Sequence, residues 1–507
     1  MKKKQPGFAD LRDAIAVGDI DLVREFIENG VNLHERDSSR YDALILAAHT
    51  RDDRLIPLFR LLVAEGVDLN GVTTYNESAL RVVSRLGRFD AVRLLLDAGA
   101  DESLLAWTPL IRATAIGSVD EMAALLDTGA PLEDRDWWSR TAWLVALLSG
   151  DLDKARLLRD RGADVHAAGR CDKPPLFYAI NSRSTPMLRW LLELGLDIEQ
   201  TDEFGTTPLI EAAEFDFLDG IDLLIAAGAQ IDRVHNGGTA LKSATSRAAI
   251  ARLLAAGSDP ALLSNECQRI MLGLTAEADV SALDAVTPEQ FLRSRSRSFG
   301  AHNAQLMNDA FWLGMIRSGA SGYHANAHFD GPSSFDAGPV WCAQRFGQSL
   351  TLLPDGRIVQ IGGEHEDGYD PDFCIYNDVF VHSPDGSVCI YGYPEAEFEP
   401  TDFHTATLCD HAIIVVGSLG YPEHREYGRT PVYRLDTRSW CIERVTTQGD
   451  GPGWIHGHRA TLVGTSEIRI TGGRALTMDG QNQETTENSG SYVLDLRCWV
   501  WSRAKPD

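Results

Sequence analysis

A glycine followed by a small or apolar residue recurs through the first half of the chain. The pairs are Gly30-Val31, Gly66-Val67, Gly99-Ala100, Gly129-Ala130, Gly162-Ala163, Gly195-Leu196, Gly228-Ala229 and Gly257-Ser258. Successive glycines lie 36, 33, 30, 33, 33, 33 and 29 residues apart. Nineteen residues ahead of most of them stands a large apolar residue: Leu11, Leu80, Leu110, Trp143, Leu176 and Leu209. A unit of roughly 33 residues is too small to bury its own apolar face, so such units must stack on one another.

Each unit reads as two short helices. Thr108-Pro109-Leu110 and Thr207-Pro208-Leu209 open two of the first helices. Threonine caps the free N–H groups there, and proline at the first helical position pre-sets φ. The second helix has apolar residues at helical spacing, as in Ala91-Val92-Arg93-Leu94-Leu95-Leu96, and stops at a glycine able to take positive φ. These residues resemble the ankyrin repeat, with about eight copies over residues 8–266 forming an α-solenoid. The histidine that commonly follows Thr-Pro-Leu in that family is replaced by Ile111, Leu144, Phe177 and Ile210, and apolar packing is expected in its place.

The resemblance implies protein binding through the finger tips and the inner helical face. By register the tips include Tyr75, Leu104-Leu105, Trp137-Trp138, Arg170, Phe204 and His235. Two adjacent tryptophans on a finger suit a binding hot spot, with Trp137 and Trp138 as anchors. The alternative is that they pack on a neighbouring finger or on the rest of the chain.

Residues 267–341 lose the period and read as a helical and loop connector. Thr287-Pro288-Glu289-Gln290 marks a helix start. Arg293-Ser294-Arg295-Ser296-Arg297-Ser298 reads as a solvated face, and Ala310–Ile316 as an apolar segment that docks the two halves of the chain. His324 and His328 have the spacing of two metal ligands but lack a third nearby, and zinc needs at least three.

Residues 342–502 switch to short alternating runs and Asp-Gly turns, the pattern of antiparallel strands. Gly362-Gly363, Gly417-Ser418 and Gly472-Gly473 recur at 55 residues, each closing an apolar run. Tyr433 with Trp440 and Tyr492 with Trp499 repeat a spacing of seven. A double glycine followed by Tyr and Trp resembles the kelch repeat, implying three blade-like units of a β-propeller type. Three are fewer than a closed propeller needs. Either residues 300–345 supply a further blade or the open edges are covered.

Aligning the copies on their glycines brings Gln348, His404 and His458 together at the starts of the inner strands, beside Arg345 and Arg459. They form a candidate pocket for a small anion or peptide, or a row of polar groups that satisfy one another. The acidic stretch Glu364–Asp378 offers Glu366, Asp370 and Cys374 as weak metal candidates. Neighbouring carboxylates disfavour the thiolate, so the stretch is expected to be a solvated, calcium-tolerant loop without a bound cofactor.

The formal charge of −26 excludes general nucleic-acid binding and an anionic membrane surface, and steers a basic protein partner. No run is long enough to span a membrane, and the eight cysteines show no disulfide framework, which places the chain in the cytoplasm. The chain is expected to be a multidomain α + β interaction scaffold or adaptor without enzymatic activity. The competing expectation is an enzyme or a small-molecule or metal sensor using the kelch-like pocket, with the ankyrin stack for targeting.

Overall fold

The computed structural model describes residues 7–50, 52–234, 236, 238–259, 262–274, 277–366, 372–480 and 482–504. The chain divides into two compact units, Met1–Ala244 and Thr245–Asp507.

The first unit is helical. Among the described residues it holds seven helix pairs, from Phe8–Val17 with Ile20–Glu28 to Pro208–Glu214 with Leu218–Ala226, and a last short helix, Ala240–Ser243. First helices pack on first helices and second helices on second, giving two layers. The expected caps form: Thr108 Oγ1 accepts from Ile111 N–H at 3.3 Å and Thr207 Oγ1 from Ile210 N–H at 3.2 Å. Ile111, Leu144, Phe177 and Ile210 are all buried, so apolar packing does stand where the family's histidine would. The repeat glycines have φ between 74° and 101°, and an added Cβ at Gly99 or Gly162 would meet nothing. Backbone conformation alone demands glycine there.

Finger joins finger by backbone hydrogen bonds: Thr74 N–H to Ser39 O at 3.0 Å, Trp137 to Leu105 at 3.0 Å, Arg170 to Trp138 at 3.2 Å and Glu203 to Cys171 at 2.9 Å. The joint between the second and third fingers differs. The third finger, following Gly99, is three residues shorter than its neighbours and closes through the 3₁₀ turn Glu102–Leu105. Here the Arg81 guanidinium bridges the gap, donating to Asn76 O at 2.6 Å and to Leu104 O at 2.7 Å.

The second unit opens with helices Arg247–Ala255, Asn265–Met271, Pro288–Ser294, Ala310–Ser318, Gly322–His328 and Ser334–Ala337. The rest is sheet, antiparallel except where Gln448–Gly449 pairs in parallel with Val500–Arg503. The first sheet comprises β1 (Gln305–Leu306), β2 (Ser349–Leu352), β3 (Ile358–Ile361), β6 (Val379–His382) and β7 (Val388–Gly392), ordered β1-β7-β6-β3-β2. Between β3 and β6 lies a small ribbon of β4 (Glu364–His365) and β5 (Cys374–Ile375). The second sheet is β8 (Thr405–Cys409), β9 (Ala412–Val416), β10 (Val432–Asp436) and β11 (Ile442–Arg444) in consecutive order. Next come β12 (Gln448–Gly449), β13 (Trp454–His456), β14 (Arg459–Val463) and β15 (Glu467–Thr471). The chain ends with β16 (Arg474–Asp479), β17 (Asn482–Glu487), β18 (Ser491–Asp495) and β19 (Val500–Arg503). The third sheet runs β12-β19-β18-β15-β14, and β13, β16 and β17 form a separate ribbon.

Each 55-residue copy thus contributes one sheet, and the three stack face to face. Val359, Val379 and Val381 of the first meet Ile413, Val415 and Tyr433 of the second. On its other face the second presents Ile414, Val416 and Val432 to Ile468, Ile470 and Leu494 of the third. The innermost strands β2, β8 and β14 are neighbours, and the sheets do not close into a ring. Residues 300–345 supply no further sheet of this kind. Their one short strand, β1, edges the first sheet, while helix Ala310–Ser318 and Trp341 cover its free face, with Trp312 and Trp341 stacked at 4.9 Å. The arginine-serine run is only partly a solvated face: Arg293, Ser296 and Ser298 are exposed, but two arginines turn inward. Arg295 is buried and donates to Ala337 O at 2.6 Å, and Arg297 bonds Ile375 O, because these carbonyls lie beside the helix exit.

In the first two copies the glycine pairs are explained by crowding between sheets. A Cβ on Gly362 would fall on Thr401 O, and one on Gly417 on Ile455 O, both in the segment leading to the next sheet. The following residues bond across the same joints, Gly363 N–H to Thr401 O at 2.8 Å and Ser418 N–H to Ile455 O at 2.9 Å.

Candidate functional site

The finger face of the first unit separates into exposed and structural residues. Tyr75 and Phe204 stand in solvent, 74% and 59% exposed, and Arg170 is exposed beside them in register. Leu105 is buried, and Leu104 is half-buried with its carbonyl held by Arg81. Trp137 and Trp138 are half-buried rather than presented as free anchors. The short third finger leaves room above helix Ala79–Arg85, and the next finger reaches over it. Trp138 Nε1 donates to Arg81 O at 3.0 Å, and the Arg81 guanidinium lies 3.5 Å from the Trp137 ring centre. Beneath them Arg140, almost fully buried, donates to Asp136 Oδ2 at 2.6 and 2.9 Å and to Ser84 O at 2.8 Å. Two guanidinium groups lie near the Trp138 ring, Arg85 at 5.3 Å and Arg170 at 5.4 Å from its centre. Such a cluster suits an acidic or aromatic group of a partner. His235 lies outside the described residues.

In the second unit the aligned polar residues form two sets. His404 Nε2 and Ser349 Oγ are hydrogen-bonded at 2.8 Å, and His458 Nε2 and Thr405 Oγ1 at 2.9 Å. Each bond joins one inner strand to the next. Burial drives both imidazoles down to about 3, so they are neutral. Arg459 is exposed and reaches Gly257 O at 3.4 Å, away from that dry row.

The second set centres on Arg345. It is buried and paired with Asp378, donates to Cys342 O at 2.7 Å, and its guanidinium sits 3.5 Å from the Tyr376 ring centre. Gln348 accepts from Gln360 at 2.8 Å, and Gln360 accepts from His382 Nε2 at 2.9 Å. Burial holds His382 down at about 4. Beside this relay is a cavity of about 30 Å³ whose polar lining is Gln268, Arg269, Gln344, Arg345 and Gln360. The sequence alignment found Arg345 and Gln348, but neither Arg269 nor Gln344, because no repeat relates them.

The described ends of the acidic stretch are more buried than a solvated loop, Glu366 apart. His365, Asp372, Asn377 and Asp378 are buried, and Asp378 also accepts from Trp341 Nε1 at 3.1 Å. These polar groups serve the fold: Asn377 donates to Phe398 O at 2.6 Å, and His365 Nδ1 meets Gln344 O at 2.9 Å. Cys374 packs in the apolar core beneath the first sheet, where burial pushes its thiol up, while Glu366 is exposed. Asp370 lies outside the described residues. Among the described residues no group of three His, Cys, Asp or Glu side chains is placed to hold a metal ion. His324 bonds Ser321 Oγ at 3.0 Å, and His328 faces Asp284 at 3.5 Å.

Sequence reasoning missed one acid pair. Gly363 N–H on Thr401 O brings Glu364 beside Asp402. Burial, then the Asp402 carboxylate, push Glu364 up to about 7. Asp402 is also raised, chiefly by burial, and accepts from Gly420 N–H at 2.6 Å. Both carboxyls are thus pushed toward their protonated forms, Glu364 by burial and by the Asp402 carboxylate beside it.

An ankyrin-repeats family model matches residues 11–106 and 170–263 in three copies. The chain is similar to the B-cell lymphoma 3 protein homolog of Mus musculus, 31% identical over 223 residues, 41% of this chain and 49% of that protein. It also resembles ankyrin repeat domain-containing protein 37 of Bos taurus, 36% identical over 89 residues, and of Homo sapiens, 37% over 89 residues. Those matches take in 17% of this chain and 56% of each relative. The chain therefore spans about half the length of these curated relatives. The first unit carries ankyrin repeats, which implies a role in protein–protein interaction. No helix among the described residues is long and apolar enough to cross a membrane.

Proposed function

We propose that this chain is a non-enzymatic adaptor that captures a protein partner on the finger face of its ankyrin repeats. The carrying observation is the pair of exposed finger-tip aromatics, Tyr75 and Phe204, on either side of the Arg85–Trp138–Arg170 stack in finger order. Aromatic and arginine side chains are the types that dominate binding energy at interfaces. Trp137, Trp138, Leu104 and Leu105 act by shaping this face rather than as free anchors. The overall charge of −26 steers a basic partner, and the arginines flanking Trp138 give its carboxylates a local bonding point.

The domain plan that goes with this reading is ankyrin repeats over residues 8–266, a connector over 267–341 and three kelch-like blades over 342–502, in a cytoplasmic protein. Support for the blades comes from one sheet per 55-residue copy, the glycines at each inter-sheet joint, and Trp440 stacked on Tyr391 of the preceding sheet at 5.7 Å.

The test is quantitative pull-down from the native host lysate with the full chain and with Tyr75→Ala combined with Phe204→Ala. Both side chains are exposed, so the variant keeps its fold. Loss of a specific protein by about tenfold or more is expected. Equal capture by both forms overturns the finger-face reading.

A further inference from the structure

We propose that Glu364, backed by Asp402 and flanked by Phe346, receives a cationic side chain, lysine or arginine, of a polypeptide partner. The site belongs to the sheet unit and does not depend on the finger face. Phe346 and Glu364 are opposite residues of an antiparallel bridge, each N–H donating to the other's carbonyl at 2.8 Å. Opposite residues of such a bridge put their side chains on one face, about 5 Å apart at Cβ. Phe346 therefore rises beside the Glu364 side chain, and it is 61% exposed.

Behind Glu364 the second carboxyl is fixed but only half bonded. Asp402 is fully buried, and its Oδ1 accepts from Gly420 N–H at 2.6 Å and from Ser418 Oγ at 3.4 Å. Its Oδ2 meets no donor among the described residues, and the side chain next to it is Glu364. No lysine or arginine among the described residues pairs with either acid. The nearby cations are engaged elsewhere: Arg474 with Glu487 at 3.0 Å, and Arg425 with Leu419 O and Gly420 O at 3.0 and 2.8 Å. The other titratable neighbours are His456, whose imidazole is lowered chiefly by burial, and the exposed Glu366. Phe403 adds a second ring next to Asp402. It lies over Gly347, where an added Cβ would be 2.8 Å from Phe403 Cγ, and its ring centre is 6.4 Å from that of His456. Its φ of +47° is a left-handed value that strains an aromatic residue. Two acids held together without a cation, on strained backbone, cost stability, and a bound cation offsets that cost. The occupant is a side chain rather than a free amine, because the exposed Phe346 ring offers a face to its apolar stem. The charge of −26 draws basic polypeptides toward it.

The probes are end-capped tripeptides of glycine, with lysine or arginine at the centre, read by calorimetry on the full chain at constant ionic strength. The norleucine tripeptide is the uncharged control and butylamine the free amine. A cationic peptide should bind at about millimolar Kd near pH 8, and about tenfold more weakly near pH 6, where Glu364 holds its proton. Glu364→Gln removes the charge at constant size and should abolish binding. Phe346→Ala, at an exposed position, should weaken it several-fold. Absence of saturable binding by wild type overturns the proposal. So does equal affinity of wild type and Glu364→Gln, which would place the cation elsewhere, or an affinity unchanged between the two pH values. Norleucine peptide binding as tightly as the cationic peptides overturns the role of charge, and butylamine doing so overturns the polypeptide assignment.

Discussion

The two units are both built by repetition, yet they join their repeats in different ways. In the helical unit the joint is apolar helix packing plus one backbone bond per finger, and it absorbs a three-residue deletion. Where the third finger is short, the Arg81 side chain replaces the missing backbone bond and the next finger folds its tryptophans over the gap. In the sheet unit the joint is a close approach of backbones at glycine, reinforced by neutral imidazoles bonded to hydroxyls. That joint has no slack, and all three copies keep the 55-residue interval. A side chain can span a gap of several ångströms, but nothing can occupy the space of a carbonyl oxygen.

Four measurements test this contrast. Arg140→Met should cost the helical unit about 3–5 kcal/mol, because Asp136 is left buried without its partner. Chemical denaturation followed by helical circular dichroism reads it. A loss below 1 kcal/mol would mean that Asp136 is reached by water.

Gly363→Ala should cost about 2–4 kcal/mol, since φ is +92° and its Cβ would meet Gln348 Cβ at 2.8 Å. Gly129→Ala, at φ +85° with nothing nearby, should cost only about 1–2 kcal/mol. Equal losses for the two would erase the distinction between conformational and steric glycines.

Arg81→Met should cost about 1–2 kcal/mol and raise hydrogen exchange in the 101–107 finger. Unchanged exchange there would show that the guanidinium bridge is not what holds the short finger.

The subtlest test is pH. His382, His404 and His458 are depressed to about 4, 3 and 3 by burial, against about 6.5 when unfolded. The unfolded chain binds more protons in that window, so the sheet unit loses stability as pH falls from about 6.5 toward 4. Glu364, raised to about 7, acts oppositely and costs stability as pH rises from about 4.5 to 7. The described histidines of the helical unit, His34, His49 and His166, are exposed. Calorimetry should show the sheet transition falling more steeply in acid than the helical one. Glu364→Gln should stabilise the sheet transition at about pH 8 and leave it nearly unchanged near pH 4. A variant that is less stable than wild type at the higher pH would contradict the upward shift of Glu364.

Much of this was legible in the residues. Period, capping threonines, left-handed glycines and strand alternation are local properties, set by backbone geometry within a few residues, and they located the repeats of both units. The polar row at Gln348, His404 and His458 was legible for the same reason, since repeats superpose. The partners of single side chains were not. Trp137 and Trp138 turn inward because a finger 33 residues earlier is short, and no feature of their own segment records that. Asp378, at the end of the acidic stretch, is buried because Arg345 and Trp341 bond it, and the cavity joins residues 268–274 to 343–345, 360 and 380. The sequence by itself determined which units repeat and how each is built. Tertiary structure alone decided which side chains face solvent, because burial depends on what arrives from elsewhere in the chain.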